Sequence, residues 1–158
     1  MGDTGEDAAR RLEAEVGALL RWVGQIDART VGRRHSAEEW SAVECLAHTA
    51  EMIPYWAAQA ADVAARDRPG EPFGRVHDDP DRIAAVERGR SEPLDDLIAR
   101  VRSETARATA TLRAIPDERW SRSGRHARRG EMTVREFVDA FLIDHVREHT
   151  LQARAAIA

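Results

Sequence analysis

The chain has 158 residues, 42% of them hydrophobic and 33% charged, which fits one soluble domain, 1–158, and excludes an intrinsically disordered chain. Its formal net charge of −4 at pH 7 argues against a nucleic-acid partner, because nucleic-acid-binding domains usually carry a basic surface. No apolar run approaches the roughly 18 residues of a membrane span, so we expect no membrane association. The single cysteine, Cys45, cannot form an internal disulfide, which favours a cytoplasmic location.

The first half of the chain predicts two helices, because its apolar residues recur every three or four positions. The first helix covers about 6–28. The second follows a capping box made by Ser41 and Glu44, in which each residue satisfies a backbone N–H of the other. It extends to about Arg66 and contains Pro54, which removes one backbone hydrogen bond and is expected to bend the helix.

The second half of the chain predicts two more helices after a long segment without a strong period, 67–91, in which residues 78–81 can start a short helical segment that ends near Gly89. The third helix covers about 93–115. The fourth begins at another capping box, Thr133 and Glu136, and continues to the C-terminus. No stretch makes a convincing strand, so the predicted class is all-α, a four-helix bundle. Segment 67–91 is too long for a tight turn and suits a crossover between helices two and three.

Three histidines form the most informative pattern in the chain. His145 and His149 are four residues apart and therefore lie on one side of a helix. The apolar periodicity continues through both of them and through Gln152, so burying them is costly unless they find partners. His48 and His149 each lie roughly 12 Å from a helix end. In an up-down-down-up bundle, with 67–91 as its crossover, helices two and four are antiparallel and the three histidines lie level.

The order of these residues resembles the DinB/YfiT-like family. Residues 40–48 read Trp-Ser-x-x-Glu-x-Leu-x-His, and residues 145–152 read His-x-x-x-His-x-x-Gln. The segment 124–136, which precedes the last helix, is also similar. The resemblance covers nearly the whole chain and implies an up-down-down-up four-helix bundle. Many relatives have an acidic residue directly after the first histidine of the final pair, where this chain has Val146.

The resemblance implies that His48, His145 and His149 bind a divalent metal ion, zinc or nickel. Three nitrogen ligands leave a coordination position open, which is typical of catalytic sites. Relatives of known activity use a low-molecular-weight thiol, such as mycothiol or bacillithiol, in S-transfer or maleylpyruvate isomerisation. The resulting hypothesis is a thiol S-transferase-like or hydrolase-like enzyme that activates a thiol or water against a small electrophilic substrate, with mycothiol as the candidate thiol and a homodimer as the candidate assembly.

Two alternatives remain open. One is a non-catalytic stress-response or small-ligand-binding bundle with a structural metal, and the other is a bundle that only dimerises and buries its histidines as core groups. Glu51 and Glu148, each three residues after a histidine, are candidate proton acceptors or partners of the ligands, although such glutamates are often solvated. Cys45 is an alternative ligand. Three further side chains are candidates for substrate binding: Tyr55, Trp56 and Gln152.

An arginine-rich loop, 119–129, is a candidate anion site. If this loop stays at the start of helix four, it is separated from His145 by about 18 Å along the helix axis. We therefore interpret the loop as solvated. The remaining histidines, His35, His77 and His126, are expected in loops without functional partners.

Overall fold

The structure is a computed structural model that describes residues 3–158. Most of these residues are helical. None of the helices in this range is both long and apolar enough to cross a membrane. The helices are α1 (Thr4–Val23), α2 (Ala42–Ala65), α3 (Pro80–Gly89), α4 (Leu94–Ala114), α5 (Val134–Phe137) and α6 (Asp144–Ala156), and a π-helical segment (Val138–Ile143) joins α5 to α6 in one continuous final helix.

Both predicted capping boxes are present, and they set where the two histidine-bearing helices begin. The side chain of Ser41 accepts a hydrogen bond from the N–H of Glu44, and the Glu44 carboxylate accepts one from the N–H of Ser41 at 2.7 Å. Thr133 and Glu136 make the same reciprocal pair before α5. The start at Ser41 fixes the helical position of His48 in α2 by local hydrogen bonding, whereas the π-helical segment lies between the start at Thr133 and the two later histidines.

A three-stranded sheet corrects the purely α-helical prediction. Strand β1 (Pro72–Phe73) pairs in parallel with β2 (Ser123–His126), which forms an antiparallel hairpin with β3 (Gly130–Thr133). Strands of two to four residues are too short to show alternation in the sequence. Gly124 allows the close pairing of β1 and β2, because a Cβ there would lie 2.7 Å from the ring of Phe73.

Segment 67–91 is more than a crossover, because it supplies β1 and α3. Helix α3 packs directly on α2 beside His48. A Cβ on Gly89 would lie 2.1 Å from the Cβ of Ala47, so only glycine permits this approach. The buried Glu44 holds the same end of α3, since its carboxylate forms ion pairs with both Arg34 and Arg90.

One hydrophobic core joins the long helices. Along α1 and the final helix, Arg11 pairs with Asp139 at 2.8 Å and Arg147 pairs with Glu15 at 2.6 Å. Between α2 and the final helix, the ring centroids of Trp56 and Phe141 are 4.7 Å apart.

The π-helical segment ends at Ile143, and α6 follows without a gap. The segment therefore lies just before the pair of histidines. The sequence predicts an unbroken α-helix here, because a π segment leaves no simple signature in apolar spacing. Such segments occur often at functional sites, since they change the rotation of the following side chains. Phe141 lies within this segment.

Candidate metal centre

The structure brings His48, His145 and His149 together, as the sequence predicted. One ring nitrogen from each of the three lies within 4.8 Å of the others. The centroids of the His48 and His149 rings are 4.6 Å apart, and those of His145 and His149 are 4.5 Å apart. His48 comes from α2 and the other two come from α6, so the packing of these helices creates the cluster. We call these three residues the histidine centre.

Several nitrogens of the histidine centre are buried without a hydrogen-bond partner in the described part of the chain. They are both ring nitrogens of His48 and Nε2 of His149. The Nδ1 of His149 lies 2.9 Å from Oε1 of Gln152. An amide oxygen can only accept, so Nδ1 carries the proton and Nε2 keeps its lone pair. Gln152 therefore orients the ring of His149. Metal-binding imidazoles are commonly held by such a hydrogen bond from their second ring nitrogen.

Burial keeps the histidine centre neutral. It lowers the pKa of His145 to about 4 and that of His149 to about 2, with repulsion from His48 adding to both shifts. The pKa of His48 is also lowered, chiefly by burial. At neutral pH all three imidazoles are therefore unprotonated, which is the form that can donate a lone pair to a metal ion.

The two glutamate candidates lie in different surroundings. Glu51 is largely buried, and its Oε2 lies 3.4 Å from Nδ1 of His48. Its carboxylate also binds the guanidinium of Arg75, at 2.5 and 2.7 Å. Burial alone would raise the pKa of Glu51, but its contacts with His48 and Arg75 outweigh that effect and lower it. Glu148 is exposed on α6, which argues against a role at the histidine centre.

Trp40 and Cys45 lie close to the centre in sequence but differ in their contacts. The Trp40 ring stacks on His149, with centroids 5.6 Å apart, and meets His48 edge-on at 5.2 Å. Cys45 is outside the group of candidate ligands found in residues 3–158. It packs in a small buried cluster with Ala42 and Ala153, and burial raises the pKa of its thiol to about 12. It therefore behaves as a core residue.

A cavity of about 210 Å³ opens beside the histidine centre. Its lining includes His48 and His145 together with two aromatic side chains, Trp56 and Phe141. Tyr55 is absent from the lining. It lies instead beneath Arg75, whose guanidinium carbon is 4.0 Å from the Tyr55 ring centroid. Of the residues predicted to bind substrate, Trp56 alone therefore faces this cavity.

Four arginines line the same cavity and correct the interpretation of loop 119–129 as merely solvated. We call them the arginine wall: Arg75, Arg82, Arg128 and Arg129. Arg75 comes from the segment between β1 and α3, Arg82 comes from α3 itself, and the other two come from the turn between β2 and β3. The distance along the helix was misleading, because the hairpin folds back over the final helix instead of remaining at its start.

His126 holds this hairpin turn and was wrongly interpreted as a loop residue without a partner. It is buried at the end of β2. Its Nδ1 accepts hydrogen bonds from the backbone N–H groups of Arg128 and Arg129, at 3.3 and 3.2 Å. Its Nε2 therefore carries the proton and donates to the carbonyl of Arg75 at 3.0 Å. His77 also lines the cavity, and His35 is exposed. No local sequence signal marked these contacts.

Comparisons with known proteins agree with this architecture. YfiT from Bacillus subtilis, a probable metal-dependent hydrolase with an unusual four-helix bundle topology, superposes with a TM-score of 0.79 at 15% identity, over 99% of this chain and 87% of that chain. A mycothiol-dependent maleylpyruvate isomerase superposes with a TM-score of 0.74 at 18% identity, over 98% of this chain. A histidine-to-alanine mutant of the isomerase gives the same score at 16% identity.

The chain spans 62% of the isomerase chain, and identities this low support a shared fold alone. No curated protein gives a significant sequence match. The family relationship comes from the sequence itself, because residues 11–153 match the profile of the DinB superfamily. This confirms the predicted DinB/YfiT-like resemblance. The chain belongs to the DinB superfamily.

Proposed function

We propose that the chain is a metal-dependent enzyme in which His48, His145 and His149 bind one divalent ion, zinc or nickel. The observation that carries the proposal is that one ring nitrogen from each of the three histidines lies within 4.8 Å of the others, while the nitrogens of His48 and Nε2 of His149 are buried without a hydrogen-bond partner in the described chain. Each buried polar atom left without a partner costs about 1–3 kcal/mol, so the arrangement is unfavourable unless something binds it. Imidazole nitrogen suits both zinc and nickel.

The cavity beside these histidines favours a catalytic role over a structural one. Structural zinc sites use four protein ligands, whereas catalytic sites use three and keep a position open. Once bound, the ion would supply Lewis acidity toward a thiol or water. Glu51 lies 3.4 Å from Nδ1 of His48 and can hold a proton nearby, while Trp56 and Phe141 line the cavity with apolar surface. A cavity of about 210 Å³ is below the roughly 300 Å³ of pockets for drug-sized ligands, so the substrate is a small molecule.

The proposed reaction is attack of an activated thiol or water on a small electrophile. The two solved relatives support this range of chemistry, since one is described as a probable metal-dependent hydrolase and the other as a mycothiol-dependent maleylpyruvate isomerase. We therefore propose a thiol transferase with mycothiol as co-substrate, or a hydrolase. The non-catalytic alternative, a stress-response or ligand-binding bundle with a structural metal, predicts that metal raises stability without any turnover.

We also infer an up-down-down-up topology within a single domain, 1–158. Two observations support it. Contacts between α1 and the final helix follow the same residue order in both helices, so these two are parallel. Contacts between α2 and the final helix follow opposite residue orders, so these two are antiparallel. A cytoplasmic location and a homodimer remain predictions. Cell fractionation tests the first, and light scattering of the purified protein at several concentrations tests the second.

Metal analysis of untagged protein tests the metal site. We expect one equivalent of zinc or nickel per chain in the wild type, and loss of most of it in His149→Ala. His35→Ala, which removes an exposed histidine, is the matched control and should retain the metal. A wild-type protein that contains no metal and shows no thermal shift with added zinc or nickel would disprove the site.

Turnover is tested with the metal-loaded protein. We expect it to consume mycothiol, or another small thiol, in the presence of an electrophile faster than the metal-free protein does, or to hydrolyse an activated ester. Activity that is equal with and without metal, or absent for both thiol and water, would favour the non-catalytic alternative.

A further inference from the structure

The arginine wall carries more positive charge than its neighbours neutralise. Arg75 is paired with Glu51, as described above. Arg128 lies 3.8 Å from Asp78, although both side chains are exposed. Arg82 and Arg129 make no ion pair with any carboxylate of residues 3–158. Two guanidinium groups of the cavity therefore lack a counter-ion.

Arg82 is held in place by neutral groups. Its Nη1 donates to the carbonyl of His77 at 2.5 Å, and its guanidinium carbon lies 5.0 Å from the Trp40 ring centroid. The neighbouring carboxylate of Asp79 already accepts from the backbone N–H groups of Asp81 and Arg82 at the start of α3. Burial and the charge of Arg75 lower the pKa of Arg82 by more than the charges of Glu51 and Asp79 raise it, because this guanidinium is poorly solvated and lies near another cation. An anion in the cavity would relieve both penalties.

Arg129 is presented to the cavity by the hairpin turn that His126 holds. Its guanidinium carbon lies 5.6 Å from the ring centroid of Phe141. Phe141 is about one helical turn before His145 and lines the same cavity. Arg129 and the histidine centre therefore open onto one space, and an anion bound by Arg129 would lie close to the proposed reaction centre.

We propose that Arg82 and Arg129 bind the oxyanion of a small acid and so select anionic substrates. The paired N–H groups of a guanidinium bind the oxygens of a carboxylate and of a phosphate equally well in geometry. The proposed ligand group is therefore an oxyanion, and the titration below distinguishes a carboxylate from a phosphate. The substrate selection rests on the function proposed above, whereas anion binding itself does not require the metal.

Calorimetric titration tests this site in metal-free and zinc-loaded protein. The probes are succinate, inorganic phosphate and, as an uncharged match, succinamide. The variants are Arg82→Met, Arg129→Met and the double substitution. Two arginines with no ion pair in the described chain serve as controls: Arg88→Met on α3 and Arg125→Met on β2, both exposed. Thermal melts verify that each variant remains folded, and Arg82→Lys keeps the charge if the methionine variant unfolds.

We expect succinate or phosphate to bind at least about tenfold more tightly than succinamide, because charge-assisted hydrogen bonds add to the apolar contacts. The double variant should lose at least about tenfold in affinity, and each control should stay within about twofold. Affinity should fall as salt is added, since the interaction is partly screened. The preferred anion identifies the source as a carboxylic acid or a phosphate.

Three results would overturn the proposal: no detectable binding of either anion at millimolar concentration, equal binding of succinamide, or an equal loss in the controls. Metal content measured on the same samples separates the two proposals. Bound metal without arginine-dependent anion binding would overturn the anion site alone. Arginine-dependent anion binding in a protein that never binds metal would overturn the proposed function alone.

Discussion

The histidine centre and the arginine wall border one cavity, but the side chains of the first are neutral and those of the second are positively charged. The centre is built from two long helices, and deep burial keeps its imidazoles neutral. The wall is built from short segments at the cavity mouth, and its side chains end in guanidinium groups, which stay charged in proteins. Neutral nitrogens suit a metal ion and cations suit an anion, so the two kinds of side chain give the cavity two binding chemistries.

Glu51 connects these two regions. It lies beside His48 on one side and binds Arg75 on the other. Its carboxylate compensates one arginine of the wall and also places a negative charge 3.4 Å from Nδ1 of His48. A change at Glu51 should therefore affect both regions, whereas a change within either region should affect mainly that one.

The largest effect is expected for His48→Leu. Loss of one of three ligands should lower metal affinity by about a hundredfold or more. The same change removes two buried, unpartnered nitrogens, so it should raise the free energy of unfolding of the metal-free protein by about 1–3 kcal/mol. Metal titration and denaturant unfolding measure the two effects. His35→Leu, at an exposed position, should change stability by less than about 0.5 kcal/mol. A less stable metal-free protein with unchanged metal affinity would contradict the assignment of His48.

Gln152→Leu should have the next largest effect. Without the amide oxygen, the proton on Nδ1 of His149 loses its acceptor, and metal affinity should fall by about 10–100-fold. Gln152→Glu, which restores an acceptor, should recover most of the affinity. Competition with a coloured chelator measures these changes, and Gln25→Leu on the exposed loop after α1 is the control. Unchanged affinity in Gln152→Leu would mean that the hydrogen bond to His149 does not support the metal site.

Glu51→Gln should have a smaller effect on metal and an opposite effect on anions. We expect metal affinity to fall by up to about tenfold, because the negative charge beside His48 is lost. Affinity for succinate or phosphate should rise, since Arg75 is no longer compensated. Glu148→Gln, on the exposed face of α6, should change neither affinity by more than about twofold. If Glu148→Gln changed the metal and anion affinities as much as Glu51→Gln, the role assigned to the buried Glu51 would be contradicted.

The smallest effect is expected at Cys45, which is near the histidine centre but outside it. Its pKa is raised to about 12, so the fraction of reactive thiolate at pH 8 is about one in 10⁴. Thiolate increases only as the pH approaches the raised pKa, so alkylation by iodoacetamide should be negligible in the folded protein from pH 7 to 9. It should become rapid when denaturant unfolds the chain. Fast alkylation of the folded protein would contradict the buried position.

The sequence alone was sufficient for most of the helical framework. The capping boxes at Ser41 and Thr133 correctly gave the starts of two helices to within a residue, because a cap is a local hydrogen-bond pattern. The spacing of His145 and His149 placed them on one face for the same local reason. The grouping of His48 with this pair followed only on the condition that helices two and four run antiparallel, and the family resemblance implied the three histidines as one set.

The rest depended on contacts between segments far apart in the chain. The sheet joins residues 72–73 to 123–133, and strands this short are stabilised by their partners rather than by their own pattern. The arginine wall follows from that sheet and from the approach of α3 to α2 at Gly89. The sequence by itself therefore determined most of the helices and the placement of His145 and His149 on one helical face, because helical period and capping act within a few residues. Only the tertiary structure decided that an arginine wall faces the histidine centre, because that contact depends on how a hairpin and a short helix fold onto the bundle.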